Sequence, residues 1–496
     1  MMNNTRILII VILLLHSGIA NAQLFWRHDY KTADSVTLQA YLAEDWQKVI
    51  DVGNAALKRN IDYYYLRMRM GIAYYQLGRL PQAANQYEKA LMFNHKDPTA
   101  QVYLYNVYRY LGKNQKANRL TKQFNKTTAE QIAYPMRTFE AMNIGGGGSF
   151  SNNFSLNSNL YLPAGDSAYG EQVLYGDKRI LYGGIQLNLS PVTSLYLNYT
   201  NLMIDKKTRV QYYEAPLNVL STRYEDWGFQ RTFSQEMQLN EKVFTNKLIQ
   251  NEFYLKLRFQ FENSWSGALF ANLISVNTDV IKSDRQILSF TDTSSYVLNT
   301  GVAELFQASY LSYNVVQSDT GFVNYLFGFR FEKDYNTMTF GFSGVFSSLN
   351  GLKQNQLSLH SFYYLGKGTD FYGSTDVSWF IQQWPGGNEN RGIFRQSLGC
   401  RLYKQSWFEA EYTYGNQNNT SSFDAMVVYN QADKMNYRAG LSLTIIPWTP
   451  IELSLRYQYV SYDGYVTRNF TEEDSDKTTT FAYQIQNILG GIKWKF

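Results

Sequence analysis

Phe253, Tyr254, Leu255, Lys256, Leu257, Arg258, Phe259, Gln260, Phe261 and Glu262 follow one another in the chain. Taken alternately they separate: Phe253, Leu255, Leu257, Phe259 and Phe261 fall on one side, Tyr254, Lys256, Arg258, Gln260 and Glu262 on the other. Successive side chains point to opposite faces in a strand, so the stretch predicts a sheet with one apolar and one wet face. Residues 323–332 divide in the same way, with Tyr325, Phe327, Phe329 and Phe331 opposite Asn324, Arg330 and Glu332. Residues 451–459 set Leu453, Leu455 and Tyr457 against Glu452, Ser454, Arg456 and Gln458. These segments run about 9–14 residues, beyond the ~5–6 of an ordinary strand and suited to a tilted bilayer crossing.

The chain ends in the same pattern. Ile488, Gly490, Ile492, Trp494 and Phe496 share one face, opposite Asn487, Gly491, Lys493 and Lys495. Upstream the phase flips, because Phe481, Tyr483 and Ile485 become the apolar set; either a bulge near 486–487 reconciles the halves or the upstream half stands clear of lipid. The ending, with Ile492, Trp494 and Phe496 as its signal, resembles the terminal strand of bacterial outer-membrane barrels, and implies an outer-membrane insertion machinery as partner. In hydrocarbon only a closed barrel satisfies the backbone of a sheet, so residues 137–496 are expected to form a transmembrane antiparallel β-barrel facing outer-membrane lipid. Trp379, Trp384, Trp407, Trp448 and Trp494 fall near strand ends, where aromatic girdles belong.

Composition agrees. Aromatic residues make 16% of the 496-residue chain while mean hydropathy is −0.36, too aromatic for disorder and too polar for a helical membrane bundle. The single cysteine excludes an intramolecular disulfide, and four scattered histidines supply no metal cluster, so no metal or cofactor is expected. A net charge of +5 points to no nucleic-acid partner.

Tight connections are expected near 190–192, 263–264, 333–336, 366–369, 404–405 and 447–449, with longer ones at 163–177, 205–247, 383–390, 415–433 and 463–478. Short inner turns and long outer loops suit a barrel whose last strand finishes on the inner side. Their alternation closes only with an extra strand near 286–298 joined through 299–301, giving about 16 strands, with 14 or 18 also admissible. A barrel of ~16 strands encloses an aqueous channel unless something plugs it. The connection 205–247 is long enough to fold inward or to cover the mouth, its Tyr212, Tyr213, Tyr224, Trp227 and Phe229 either gripping a sugar chain or packing the loop, and 423–429 is a candidate hairpin within an outer loop. Lys256, Arg258, Arg330, Glu332, Arg395, Arg401, Arg438, Glu452 and Arg456 are expected to face the lumen, where mixed charges select by charge or hold a plug.

Before the barrel the period is helical. Residues 7–15 are an apolar run preceded by Arg6 and followed by the small triplet Ala20, Asn21, Ala22, so 1–22 read as a signal peptide. Over 23–136 the chain repeats: Glu44, Gly78 and Gly112 are 34 apart, as are Val49, Ala83 and Ala117. Gly71, Tyr74, Gly78, Ala83, Tyr87 and Ala90 resemble a tetratricopeptide repeat, with Pro98 three residues later than that family's closing proline; the next unit keeps Leu104, Tyr108, Gly112 and Ala117. The resemblance implies an inner groove lined by Tyr65, Met68, Ile72, Tyr75, Val102, Asn106 and Arg109, which suits a periplasmic protein partner or a polysaccharide. Lys116, Arg119, Lys122 and Lys126 fall on one face if that helix runs on, and offer a basic surface to an acidic partner.

Gly145 to Gly148 lack the Lys-Ser/Thr of a phosphate loop and instead bend a strand or smooth a lumen wall. Ser358 and His360 share a wet face, but no local carboxylate completes a hydrolytic set, so no catalytic residues are expected. Cys400 alternates with Leu398 and Leu402 on the lipid side. Helical repeats before a barrel resemble the outer-membrane exporters of bacterial exopolysaccharides, which implies a transport conduit with the repeats in the periplasm. A non-conducting scaffold is the alternative, and a passive porin the third reading.

Overall fold

The computed structural model describes residues 30–132, 137–159, 169–297, 301–366, 368–468 and 477–496, so the expected signal peptide lies outside the described residues. The helices are α1 (Tyr30–Leu42), α2 (Trp46–Lys58), α3 (Tyr64–Gln76), α4 (Leu80–Phe93), α5 (Pro98–Tyr110), α6 (Asn114–Leu120) and α7 (Lys126–Ile132). Glu44, Gly78 and Gly112 take φ of 55°, 68° and 69° in the turns α1–α2, α3–α4 and α5–α6. The 34-residue period is therefore a repeated left-handed turn, which glycine adopts without steric cost. Pro98 opens α5 at its first turn, and the Asp97 carboxylate accepts from Ala100 N at 2.7 Å. Leu66, Met70, Ala83, Tyr87, Ala90 and Leu104 are buried where the hairpins meet. Gly71 lets the Tyr87 ring lie against the α3 backbone, in space a Cβ would take.

After α7 the chain is a meander of strands: β1 (Phe139–Ser151), β2 (Tyr169–Ser190), β3 (Thr193–Glu214), β4 (Leu217–Glu225), β5 (Gly228–Gln235), β6 (Gln238–Gln260), β7 (Trp265–Val297), β8 (Val302–Tyr335), β9 (Met338–Leu349), β10 (Leu352–Tyr364), β11 (Phe371–Trp384), β12 (Gly387–Tyr403), β13 (Ser406–Tyr414), β14 (Thr420–Ser422), β15 (Val427–Tyr429), β16 (Lys434–Trp448), β17 (Ile451–Arg468) and β18 (Lys477–Lys495). A short helix, α8 (Asn153–Asn157), lies between β1 and β2. Strands β1–β3, β6–β13 and β16–β18 pair in order, and β18 returns to β1 from Ala141 with Lys495 to Ser151 with Ile485. The result is a closed antiparallel barrel of 14 strands, not 16.

The missing pair is explained by β7 and β8. They pair from Trp265 with Lys333 to Val297 with Val302, so residues 286–297 extend β7 instead of forming a strand of their own. Beyond the bilayer both faces meet water and the alternation fades, which imitates the end of a strand. The connection 205–247 is corrected likewise: β3 and β6 pair from Thr193–Phe259 up to Glu214–Gln238, and the β4–β5 hairpin completes it, so it does not fold inward. Tyr212 packs on Tyr313 at 5.5 Å and Phe229 on Tyr296 at 6.1 Å, while Tyr224 stays exposed.

Parity along each strand is as the alternation requires. Phe253, Leu269, Phe327, Leu359, Trp379, Leu398, Leu455 and Ile492 are exposed on the outside, while Tyr254, Asn272, Gln356, Phe380 and Glu411 are buried within. An exposed apolar belt around a closed sheet is satisfied by hydrocarbon and not by water. No bulge interrupts β18 near 486–487. Phe481, Tyr483 and Ile485 share the lumen side with Asn487 and are 5%, 1% and 0% exposed. The outward phase never flips; the lumen itself becomes apolar at that height. Gly145 stands beneath the Tyr182 ring, which takes the space a Cβ would need.

Candidate functional site

Between β13 and β16 the chain enters the barrel. Residues 415–433 form a hairpin, β14 against β15, whose backbone has few ladder partners and so needs others. The wall supplies partners to its backbone and side chains from amides, of which those of Gln356, Asn272 and Gln382 are buried. Gln356 Nε2 donates to Ser421 O and its Oε1 accepts from Ser421 N, both at 3.1 Å. Asn272 Nδ2 donates to Ala425 O at 2.9 Å, and Gln382 Oε1 accepts from Asn419 Nδ2 at 2.9 Å. Asn350 Nδ2 reaches Asn430 O at 2.7 Å, while Asn430 Nδ2 donates to Gln250 at 2.9 Å. These partners explain why strands that face lipid outside carry Gln and Asn inside.

At the tip, Phe423, Asp424 and Ala425 take φ of 53°, 59° and 61°. Three successive left-handed residues without glycine cost roughly 1–2 kcal/mol each, so the contacts must hold the turn. Asp424 sits 2.5 Å from Lys256 Nζ and 2.8 Å from Arg330 Nε. The Phe423 ring lies under the Arg395 guanidinium at 4.1 Å and within 5.6 Å of that of Arg456. Arg438 stacks on Tyr429 at 4.9 Å. Behind this layer Arg330 pairs with Glu332 at 3.1 Å, Arg395 with Asp376 and Glu411 at 3.5 Å, and Arg438 with Glu411 at 3.6 Å.

The tip roofs a chamber of about 830 Å³ walled by Tyr182, Tyr254, Arg258, Arg330, Asp376 and Glu452. Its floor is the helical region: Gly112 to Lys116 line it, and α6 is bolted to the short-turn end of the barrel. Lys116 Nζ is 2.6 Å and Lys113 Nζ 3.2 Å from Asp334 Oδ2, and Arg119 meets Glu262 at 2.9 Å. Asn114 donates to Glu140 at 2.5 Å, and Gln115 bonds Ser194. Burial lowers the Lys113 pKa against the pull of Asp334. On the far side, Phe154 of α8 joins Leu174, Met435, Val460, Tyr462, Val466, Phe481, Tyr483 and Ile485 in an apolar layer. There β2 pairs directly with β17, Gln172 opposite Val466, drawing the mouth together.

The expected lumen set is thus largely assembled. Lys256, Arg258, Arg330, Glu332, Arg395 and Glu452 line the chamber, and Arg438 and Arg456 flank the hairpin. Arg401 does not join them: it lies at the rim beside Asp370 and Lys404. The basic face is divided, because α6 stops at Leu120 and a 3-10 turn (Thr121–Gln123) precedes α7. Lys116 and Arg119 face the barrel, so their acidic partner is this chain's own turns, whereas Lys122 and Lys126 are exposed.

Of the groove set, Met68 is buried in the hairpin core, Ile72 and Tyr75 pack against it, Tyr65 and Asn106 are exposed, and Val102 is half-buried. Arg109 borders a small cavity at the barrel junction with Asn114 and Glu140. His360 does gain a carboxylate, Asp376 opposite it on β11, at 3.9 Å. The Ser358 hydroxyl, however, is bonded to that of Ser378 at 2.7 Å, and neither His360 nitrogen has a hydrogen-bond partner among the described residues. Sequence reasoning missed Phe423 and Asp424 as the plug tip; the polar run Asn416, Gln417, Asn418, Asn419 was the available signal.

No family model matches the sequence. No curated protein matches it. Among solved structures it is similar to a Pseudomonas aeruginosa FadL homologue, at 9% identity over 72% of this chain and 90% of that one, with a TM-score of 0.36. It is similar also to the Pseudomonas putida toluene transporter TodX, at 7% identity over 74% and 93%, TM-score 0.35. Over 21% of this chain and 74% of the other, a mutant of MamA gives 18% identity and a TM-score of 0.19.

Proposed function

We propose that the chain is an outer-membrane transport barrel held shut at rest, with its helical hairpins, read as tetratricopeptide-like, capping the periplasmic end. The observation that carries this reading is the chemistry of the inward hairpin. Its tip is held by amides and ion pairs, which water or a polar solute can replace at little cost because exchanged hydrogen bonds nearly balance, while Ala425, Met426 and Val428 pack on an apolar wall patch that includes Ile274, Leu326 and Leu349. Both ends of the barrel segment and the helical cap lie at one end, beside the two-residue β2–β3 and β12–β13 turns, which supports reading that end as periplasmic. The chamber holds a compact solute; a polysaccharide would need a continuous lumen, opened by the same release.

The apolar layer around Phe481 and Tyr483 favours a second reading, a sealed barrel that anchors the helical cap as a scaffold. Planar-bilayer recordings separate the two. Wild type should be silent, and replacing 416–432 by a short Gly-Ser linker, alone or with removal of 153–168, should produce conductance steps. Silence of both deletions in correctly folded protein leaves the scaffold.

A further inference from the structure

The hairpin tip is built like a bound ligand. It presents one carboxylate and one flat ring, side by side, to four wall cations. Lys256 and Arg330 take the Asp424 carboxylate at 2.5 and 2.8 Å, and Arg395 and Arg456 cover the Phe423 ring at 4.1 and 5.6 Å. Both tip residues line the chamber, so a solute within it meets this cluster directly. Behind the tip, Arg395 Nε and Arg438 Nε are paired with Glu411 at 3.5 and 3.6 Å, so the wall keeps its cations in place when the tip's carboxylate is exchanged. The tip's backbone is in a left-handed run that side chains disfavour, so any competitor for the cations is helped by the turn's relaxation.

We propose that the tip occupies the chamber's own ligand site, and that the ligand is an organic anion carrying a carboxylate beside a flat ring. Such a solute takes Lys256 and Arg330 from Asp424, slides its ring under Arg395, and frees the hairpin. The inference rests on the transport reading for its purpose, but the site is defined by binding alone.

The test is calorimetric titration of full-length protein in detergent with 3-phenylpropionate, propionate (no ring) and 3-phenylpropanamide (no charge). Asp424→Asn keeps the shape of the tip while removing its charge, so phenylpropionate should bind this variant about tenfold more tightly than wild type. Phe423→Ala, which retains the carboxylate latch, should also bind the ring-bearing anion more tightly. Arg395→Gln should weaken it. Resistance of each barrel to unfolding in SDS verifies folding. Equal affinity for the amide, or an affinity of folded Asp424→Asn no higher than that of wild type, overturns the proposal. If the hairpin deletions stay silent while competitive binding holds, transport fails and the site stands. Conductance without binding removes the ligand assignment alone.

Discussion

Lys116 of the helical cap and Asp334 near the end of β8 meet at 2.6 Å, with Lys113 at 3.2 Å from the same carboxylate oxygen. One acidic residue thus anchors two lysines at the junction of cap and barrel. Asp334→Asn leaves two mostly buried cations without their counter-charge, which costs about 3–5 kcal/mol when a fully buried pair is broken and less where, as here, some exposure remains. The cap should become sensitive to protease while the barrel still resists SDS. Equal cleavage of variant and wild type would mean that Asn114, Gln115 and Arg119 suffice.

At the β6–β7 turn, Asn263 and Ser264 have φ of 52° and 63°. Two positive-φ residues in a tight hairpin call for Asn-Gly. Ser264→Gly should therefore raise barrel stability by about 1 kcal/mol, read as a higher denaturant midpoint after refolding into detergent. A lower midpoint would show that the serine side chain contributes more than its conformational cost.

The barrel wall was legible because lipid outside and charge inside force a strict period of two, as in 253–262, where every residue falls on its expected face. Strand number was not, since β7 and β8 continue past the bilayer, where no solvent contrast marks their inward and outward sides. The phase change at Phe481 carried real information and misled: it recorded a lumen filled with rings, which looks in one sequence like a strand turned over. Lys116 and Arg119 were recognisable as a basic pair, but their partners Asp334 and Glu262 lie far along the chain, and only the fold brings them together. The inward course of 415–433 had no periodic signature, because its hydrogen bonds go to Gln356, Asn272 and Gln382 and not to a neighbouring strand.

In β1, a Cβ on Gly147 would run into the carbonyl of Ile488 on β18, whereas one on Gly148 would meet Lys178 O only at 3.5 Å. The first clash is with the backbone at the seam that closes the barrel, and no rotamer relieves it. Gly147→Ala should lower the folded yield several-fold on refolding, and Gly148→Ala should leave it near wild type. Equal yields would indicate that the seam between β1 and β18 has slack.

The cap's tyrosines set its behaviour in alkali. Burial, assisted by its bond to Asp34, pushes Tyr63 up to about 12, and burial beside Glu88 raises Tyr108 well above its ordinary value. Unfolded tyrosine ionises near pH ~10, so the folded cap holds protons that the unfolded chain gives up. The contribution to stability is fully present below that pH and is lost as pH climbs through about 12. Helical ellipticity should fall in the same interval in which tyrosinate absorbance rises. Tyr108→Phe, which keeps the ring and removes one ionising group, should move the transition to higher pH. If ellipticity is lost before tyrosinate absorbance rises, the cause lies with Lys113, whose lowered pKa releases Asp334 first and undocks α6.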